Sequence, residues 1–202
     1  MYREFSLFER NMEQVRELAS IYQYLEDTIA APISFDDILR SQVVYSVSAF
    51  DKLIHDLVRT GMVDIFMGRR TTTPKYLSEA ISLKLYGEIN SASVPPKEVI
   101  FEQAIFKKLQ VVSYQDPSKV AEGLSFIWEE RQKWQKIAAS MGTTDSLVKT
   151  KLKLIVSRRN SIAHEADIDP SSGTKYGISK LDSEDITDFL YQCGAAIFQL
   201  VV

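Results

Sequence analysis

Apolar residues recur at intervals of three and four along almost the whole chain, and strand-like alternation is nearly absent, so the sequence predicts a bundle of long helices rather than a sheet. The first helix is expected over about Ser6 to Ile29, with Val15, Leu18, Tyr22, Leu25 and Ile29 on one stripe and Pro32 ending it. A second is expected from Ser34, whose hydroxyl can cap it while Asp37 favours its positive end, to about Met67. Its core stripe reads Leu39, Val43, Val47, Phe50, Ile54 and Leu57. Thr73-Pro74, Pro95-Pro96 and Asp116-Pro117 each open a shorter helix, because the first turn leaves free the N–H that proline lacks. Residues from about 71 to 141 are therefore expected to form a helical insertion or a lid over the bundle. Thr143 or Thr144 caps a helix from about Asp145 to Ala163, and the polar loop DIDPSSGTKYGISKLD follows it. Ser183 is expected to cap a closing helix with Ile186, Phe189, Leu190, Cys193, Ile197 and Leu200 on its apolar face. The fold class is all-α, a single domain over 1–202 in which 145–202 supply a late helix and a closing helix.

Composition narrows the class further. With 45% apolar and 25% charged residues, the chain has the make-up of a packed globular protein. The start, MYREFSLFERNMEQVRE, mixes acids and bases without an apolar run, so neither a signal peptide nor a membrane anchor is expected, and cytoplasmic residence is. A single cysteine, Cys193, excludes a disulfide framework and a thiolate zinc site, and its place on an apolar face makes it a core residue. Net charge is −3, which argues against a protein that coats nucleic acid by bulk electrostatics. The stretch SLVKTKLKLIVSRRNSIAH, Ser146 to His164, nevertheless carries Lys149, Lys151, Lys153, Arg158 and Arg159 and no acid. Such a run is either a solvated helix face or a surface for an anionic partner.

Two polar anomalies stand out against the helical pattern. Val148, Leu152, Ile155, Arg159 and Ile162 follow helical spacing, so Arg159 occupies a slot where a core residue is expected. A guanidinium there needs an anionic partner, or must snorkel to solvent, because burying it unpaired costs several kcal/mol, roughly. In the second helix Val44, Ser48, Asp51, His55, Val58 and Met62 form a stripe that is apolar at its ends and polar in its middle. Asp51 is thus a candidate to hold Arg159 across the helix interface, or to pair with His55 at i,i+4.

The candidate chemistry is limited by scarcity. His55 and His164 are the only histidines, no G-x-S-x-G elbow or glycine-rich phosphate loop occurs, and no metal or cofactor is called for. Paired acids such as Asp36 and Asp37 sit at helix starts, where the macrodipole accounts for them. There remain Arg159 and His164, with Asn160 on the same helical face as His164. Arg159 and His164 lie about 140° apart on an ideal helix, so their joint action needs a long reach, fraying at His164, or a second subunit.

RRNSIAHEAD, Arg158 to Asp167, resembles the Arg-x4-6-His signature of HEPN domains, including the polar residue after the arginine. The order of elements is similar too: an early long helix carrying SVSAFDKLIHDLV at Ser46 to Val58, an insertion, the motif late in a helix, and one closing helix. This arrangement is similar to that of the HEPN branches named RiboL-PSP and MAE_28990. The resemblance implies a HEPN-like bundle of long antiparallel helices and a metal-independent endoribonuclease. In it His164 moves protons as the ribose 2′-OH attacks the adjacent phosphate, and Arg159 stabilises charge on the phosphate oxygens. Asn160 would orient His164 or a phosphate oxygen, and Asp51, with Ser48 beside it, would orient Arg159. Lys149, Lys153 and Arg158 are the expected RNA-binding residues, and a homodimer with facing motifs the expected working form. The family also includes non-catalytic modules that bind a protein partner or a nucleotide. A toxin or phage-defence setting, with an antitoxin or defence-system protein as partner, is consistent with either. A helical bundle with a chance motif is the remaining reading.

Overall fold

The computed structural model describes residues 1–30 and 32–202. Among them run α1 (Tyr2–Thr28), α2 (Asp36–Phe66), α3 (Pro74–Leu77), α4 (Leu83–Ser91), α5 (Lys97–Leu109), α6 (Pro117–Leu124), α7 (Lys133–Ser140), α8 (Asp145–His164) and α9 (Lys180–Val201). The only β-pairing among the described residues is an isolated bridge between Ile168 and Lys175.

The 31-residue α2 is the spine, touching α1, α5, α6, α8 and α9. Its predicted core stripe is buried throughout, from Leu39 to Leu57. The direction of neighbours follows from their contacts. Tyr2 meets Phe198, Arg16 meets Asp188 and Lys180 reaches Gln23, so α1 and α9 run antiparallel. Gln42 meets Thr187 while Leu53 lies against Gly194, so α9 runs parallel to α2. At that crossing Gly194 is needed for closeness: a Cβ there would stand 2.8 Å from the Phe8 ring and 2.9 Å from Leu53.

α1 buries Phe8, Met12, Val15 and Ala19, a stripe that begins earlier than the expected one. Ile29 is exposed, one residue beyond the end of the helix at Thr28. α2 begins at Asp36 rather than Ser34, whose hydroxyl instead accepts the Asp36 N–H outside the helix. The three proline-led helices form as expected, with Thr73 and Asp116 capping α3 and α6 by their side chains. α4 and α7 complete the middle segment, which is no lid. Phe101, Ile105, Leu124, Ile127, Trp134 and Ile137 belong to the same hydrophobic core as α2 and α9.

The closing helix starts at Ser179, not Ser183. Ser179 and Asp182 form a reciprocal capping box. Ser183 is fully buried, its hydroxyl 3.0 Å from the Gln42 side-chain oxygen, and Gln42 Nε2 donates to Thr187, which also meets Ser46 at 2.9 Å. This polar layer locks the start of α9 to α2, since each member finds a partner away from water. Cys193 is buried among apolar neighbours, and desolvation pushes its thiol up to about 12, so it is a neutral core group at ordinary pH.

Candidate active site

α8 is the platform. Thr144 caps it, accepting the Leu147 N–H, and Val148, Leu152 and Ile155 bury its inner face. Toward the C-terminus that face turns half-exposed at Arg159 and Ile162. The outer face carries Lys153, Asn160 and His164, all exposed and within about 40° of one another by helical rotation. The helix continues through His164, so fraying does not bring it round to Arg159.

The predicted Arg159–Asp51 pair does not form. Arg159 Nη1 donates to its neighbour Asn160 Oδ1 at 3.0 Å, and its buried Nε has no hydrogen-bond partner among the described residues. Asp51 is engaged elsewhere, because the chain leaving α5 folds back on α2 and presents the Tyr114 backbone N–H to Asp51 Oδ1 at 2.5 Å. Asp51 Oδ2 stands 3.8 Å from His55 Nε2, the i,i+4 alternative. His55 Nε2 also lies 3.0 Å from the Val112 carbonyl, which takes a ring N–H, and the imidazole packs edge-on against Tyr114. Burial raises the Asp51 pKa above the ordinary carboxylate value, against the opposing pull of His55, the Tyr114 N–H and the Arg159 charge. Arg159 therefore acts on Asp51 through space, without a salt bridge. A cavity of about 280 Å³ opens beside this pair, lined by Ser48, Asp51, His55, Arg59, Phe106 and Val112. A larger one, about 780 Å³, touches only Lys149 of the predicted site residues.

The basic stretch is largely neutralised from within. Lys149 pairs with Asp145 and Lys151 with Asp185, both at 2.7 Å. Arg158 Nη1 lies 2.7 Å from Asp167 Oδ1, its Nη2 donates to the Gly177 carbonyl, and its guanidinium sits over Tyr176. Lys153 is exposed on the outer face with His164.

Sequence reasoning passed over the other half of this assembly. Asp167 is fully buried and Arg40, at the start of α2, nearly so; Arg40 Nε donates to Asp167 Oδ2 at 2.7 Å. Arg40 also donates to the Tyr176 carbonyl and to Asp37. Burial pulls the Arg40 pKa down, but Asp167 and Asp37 outweigh it and the net shift is upward. A sequence separation of 127 between Arg40 and Asp167 leaves no local signal of their pairing.

The family model for RiboL-PSP-HEPN matches residues 9–202. The chain belongs to that HEPN family. No curated protein and no solved structure matches it. The match spans the middle segment as well as the motif helix, in keeping with their common core. Among the described residues no group of three or more His, Cys, Asp or Glu side chains is placed to hold a metal ion, and no helix is long and apolar enough to cross a membrane. What the site offers chemically is an exposed imidazole for proton transfer and a half-buried guanidinium without a carboxylate of its own.

Proposed function

We propose that this HEPN domain is a metal-independent endoribonuclease that cuts RNA by attack of the ribose 2′-OH on the adjacent phosphate, working as a homodimer in a toxin or phage-defence setting. The observation that carries the reading is the state of Arg159: a guanidinium in a core-facing slot, one nitrogen buried and unpartnered, no salt bridge to any described acid. Such a group is costly unless an anion arrives to meet it, and a scissile phosphate is that anion. His164, exposed at the end of the same helix, takes or gives the proton, and Asn160 and Lys153 on its face hold phosphate oxygens. The ribose 2′-OH is the nucleophile, so DNA is not a substrate.

One copy leaves Arg159 and His164 pointing about 140° apart on an intact helix. A two-fold axis beside the end of α8 brings the partner's motif to the same cleft and supplies the second histidine that proton uptake and proton delivery call for.

The test is cleavage of single-stranded RNA in excess chelator by the wild type and by His164→Ala. Cleavage that persists in chelator, ends in a 2′,3′-cyclic phosphate and falls about 10²- to 10⁴-fold in the variant supports the reading. RNA left intact, or cut equally well by the variant, overturns it. One observation favours a second reading, a non-catalytic module for a protein partner or nucleotide: Lys149, Lys151 and Arg158 are already paired with acids of the same chain, which leaves a thin basic surface for RNA.

A further inference from the structure

The last turn of α8 is held in a way its own sequence does not require. Beyond His164 the backbone takes positive φ at two successive non-glycine residues, Ala166 at 52° and Asp167 at 60°. The left-handed region costs an L-residue about 1–2 kcal/mol, less for an Asp, and is usually left to glycine at a helix end. Conformations of this kind persist where the surroundings over-determine them.

Here the surroundings converge on Asp167. Its carboxylate is gripped from both sides, by Arg40 of α2 on Oδ2 and by Arg158 of α8 on Oδ1, each at 2.7 Å, the second an ion pair without hydrogen-bond directionality. Its backbone N–H reaches back to the Ser161 carbonyl at 3.0 Å, and its carbonyl accepts the Tyr176 N–H at 2.8 Å. The Glu165 N–H shares the same Ser161 carbonyl. The turn from Asn160 to His164 is thus closed by a residue that is itself bolted to the start of α2.

We propose that Asp167 is a positioning residue for His164: by joining Arg158 to Arg40 it fixes the end of α8, and with it the direction of the exposed imidazole. The assignment rests on the ribonuclease reading for its catalytic consequence, but not for its structural one. A helix end without this closure frays, since its last carbonyls lose their partners. Proton transfer is steeply sensitive to placement, and a displacement of about 1 Å is worth about 10²-fold.

The experiment compares wild type with Asp167→Asn and Arg158→Lys, each checked for folding by circular dichroism. Ile197→Val serves as a control of lowered stability remote from the motif. Two quantities are read: kcat and KM for RNA cleavage, and the ¹⁵N imidazole resonances of His164, assigned by their loss in His164→Ala. Expected are a fall in kcat of about 10- to 10²-fold with KM within about threefold, and shifted or broadened His164 resonances with those of His55 unmoved; Ile197→Val changes neither. Arg158→Lys keeps the charge and loses the fork, so it decides the matter if Asp167→Asn does not fold. Unchanged kcat and unchanged His164 resonances in a folded clamp variant overturn the proposal, as does an equal loss in Ile197→Val. If wild type leaves RNA intact, the ribonuclease reading fails by itself, and the His164 resonances still decide whether Asp167 positions the ring.

Discussion

Replacing Arg159 by Met separates a functional guanidinium from a structural one. Arg159 continues the stripe of Val148, Leu152 and Ile155, and a methionine follows that stripe with an apolar chain of similar reach. The buried, unpartnered Nε costs about 1–3 kcal/mol in the wild type, and the substitution removes that cost. Against it stand the loss of the exposed contact to Asn160, about 0.5–1 kcal/mol, and the loss of the through-space attraction to the partly exposed Asp51, about 0–1 kcal/mol after screening. The balance favours the variant by about 1 kcal/mol. For a domain of this size that raises the melting temperature by about 2–4 °C. Cleavage, by contrast, should fall by about 10²-fold or more once the phosphate loses its charge partner. Thermal denaturation followed by circular dichroism at pH 7, run beside the RNA assay, reads both quantities. A variant that melts several degrees below wild type would show Arg159 to be a structural support, and one that melts higher yet cuts RNA normally would remove it from the reaction.

Asp51→Asn keeps an acceptor for the Tyr114 N–H and removes a carboxylate whose folded pKa lies above its unfolded one. The wild type therefore gives up stability as pH rises from about 4 through that raised value, whereas the variant does not. The melting temperature of Asp51→Asn minus that of wild type should rise between pH 4 and pH 7; a difference that falls over this window contradicts the raised pKa. Ala166→Gly trades relief of left-handed strain, about 1–2 kcal/mol, for about 0.4–1 kcal/mol of added unfolded-state entropy. Urea midpoints should place it between neutral and about 1.6 kcal/mol more stable than wild type, and a clear loss of stability would show that the strain is not there.

The helical architecture was legible because its punctuation is chemical. Thr73-Pro74, Asp116-Pro117 and Thr144 each name a helix start by a local mechanism that packing does not override. α4 is short and carries no proline at its start, so the Ser82 cap, which accepts the Leu85 N–H, passes for a loop serine, and α7 begins after Gln132 with no side-chain cap at all. Ser183 misled for an instructive reason: a serine near a helix start reads as a cap, but this one lies a turn further in and serves the buried layer with Gln42. At the site, the odd placement of Arg159 and the i,i+4 pair of Asp51 and His55 could be read from spacing alone. The partner of Asp51 could not, since it is a backbone N–H delivered by an irregular segment 63 residues away. Arg158 shows the same limit, because a basic residue looks free until the fold brings Asp167 to it.

The internal pairing of α8's bases has a consequence for how ionic strength would act on a bound RNA. Each phosphate neutralised by a free cation releases condensed counterions, and single strands give a log–log slope of about −0.7 per contact. A stretch with five available bases would predict a slope of about −3.5 per chain. With Lys149, Lys151 and Arg158 already satisfied by Asp145, Asp185 and Asp167, only Lys153 and Arg159 remain to displace ions. The slope then drops to about −1.4 per chain and about −3 for a pair. An RNA held at this helix would be gripped by few charges, and its affinity would fall about 50-fold for a fourfold rise in salt on a pair of chains, well short of the 10³-fold or more, roughly, that a polycationic protein loses.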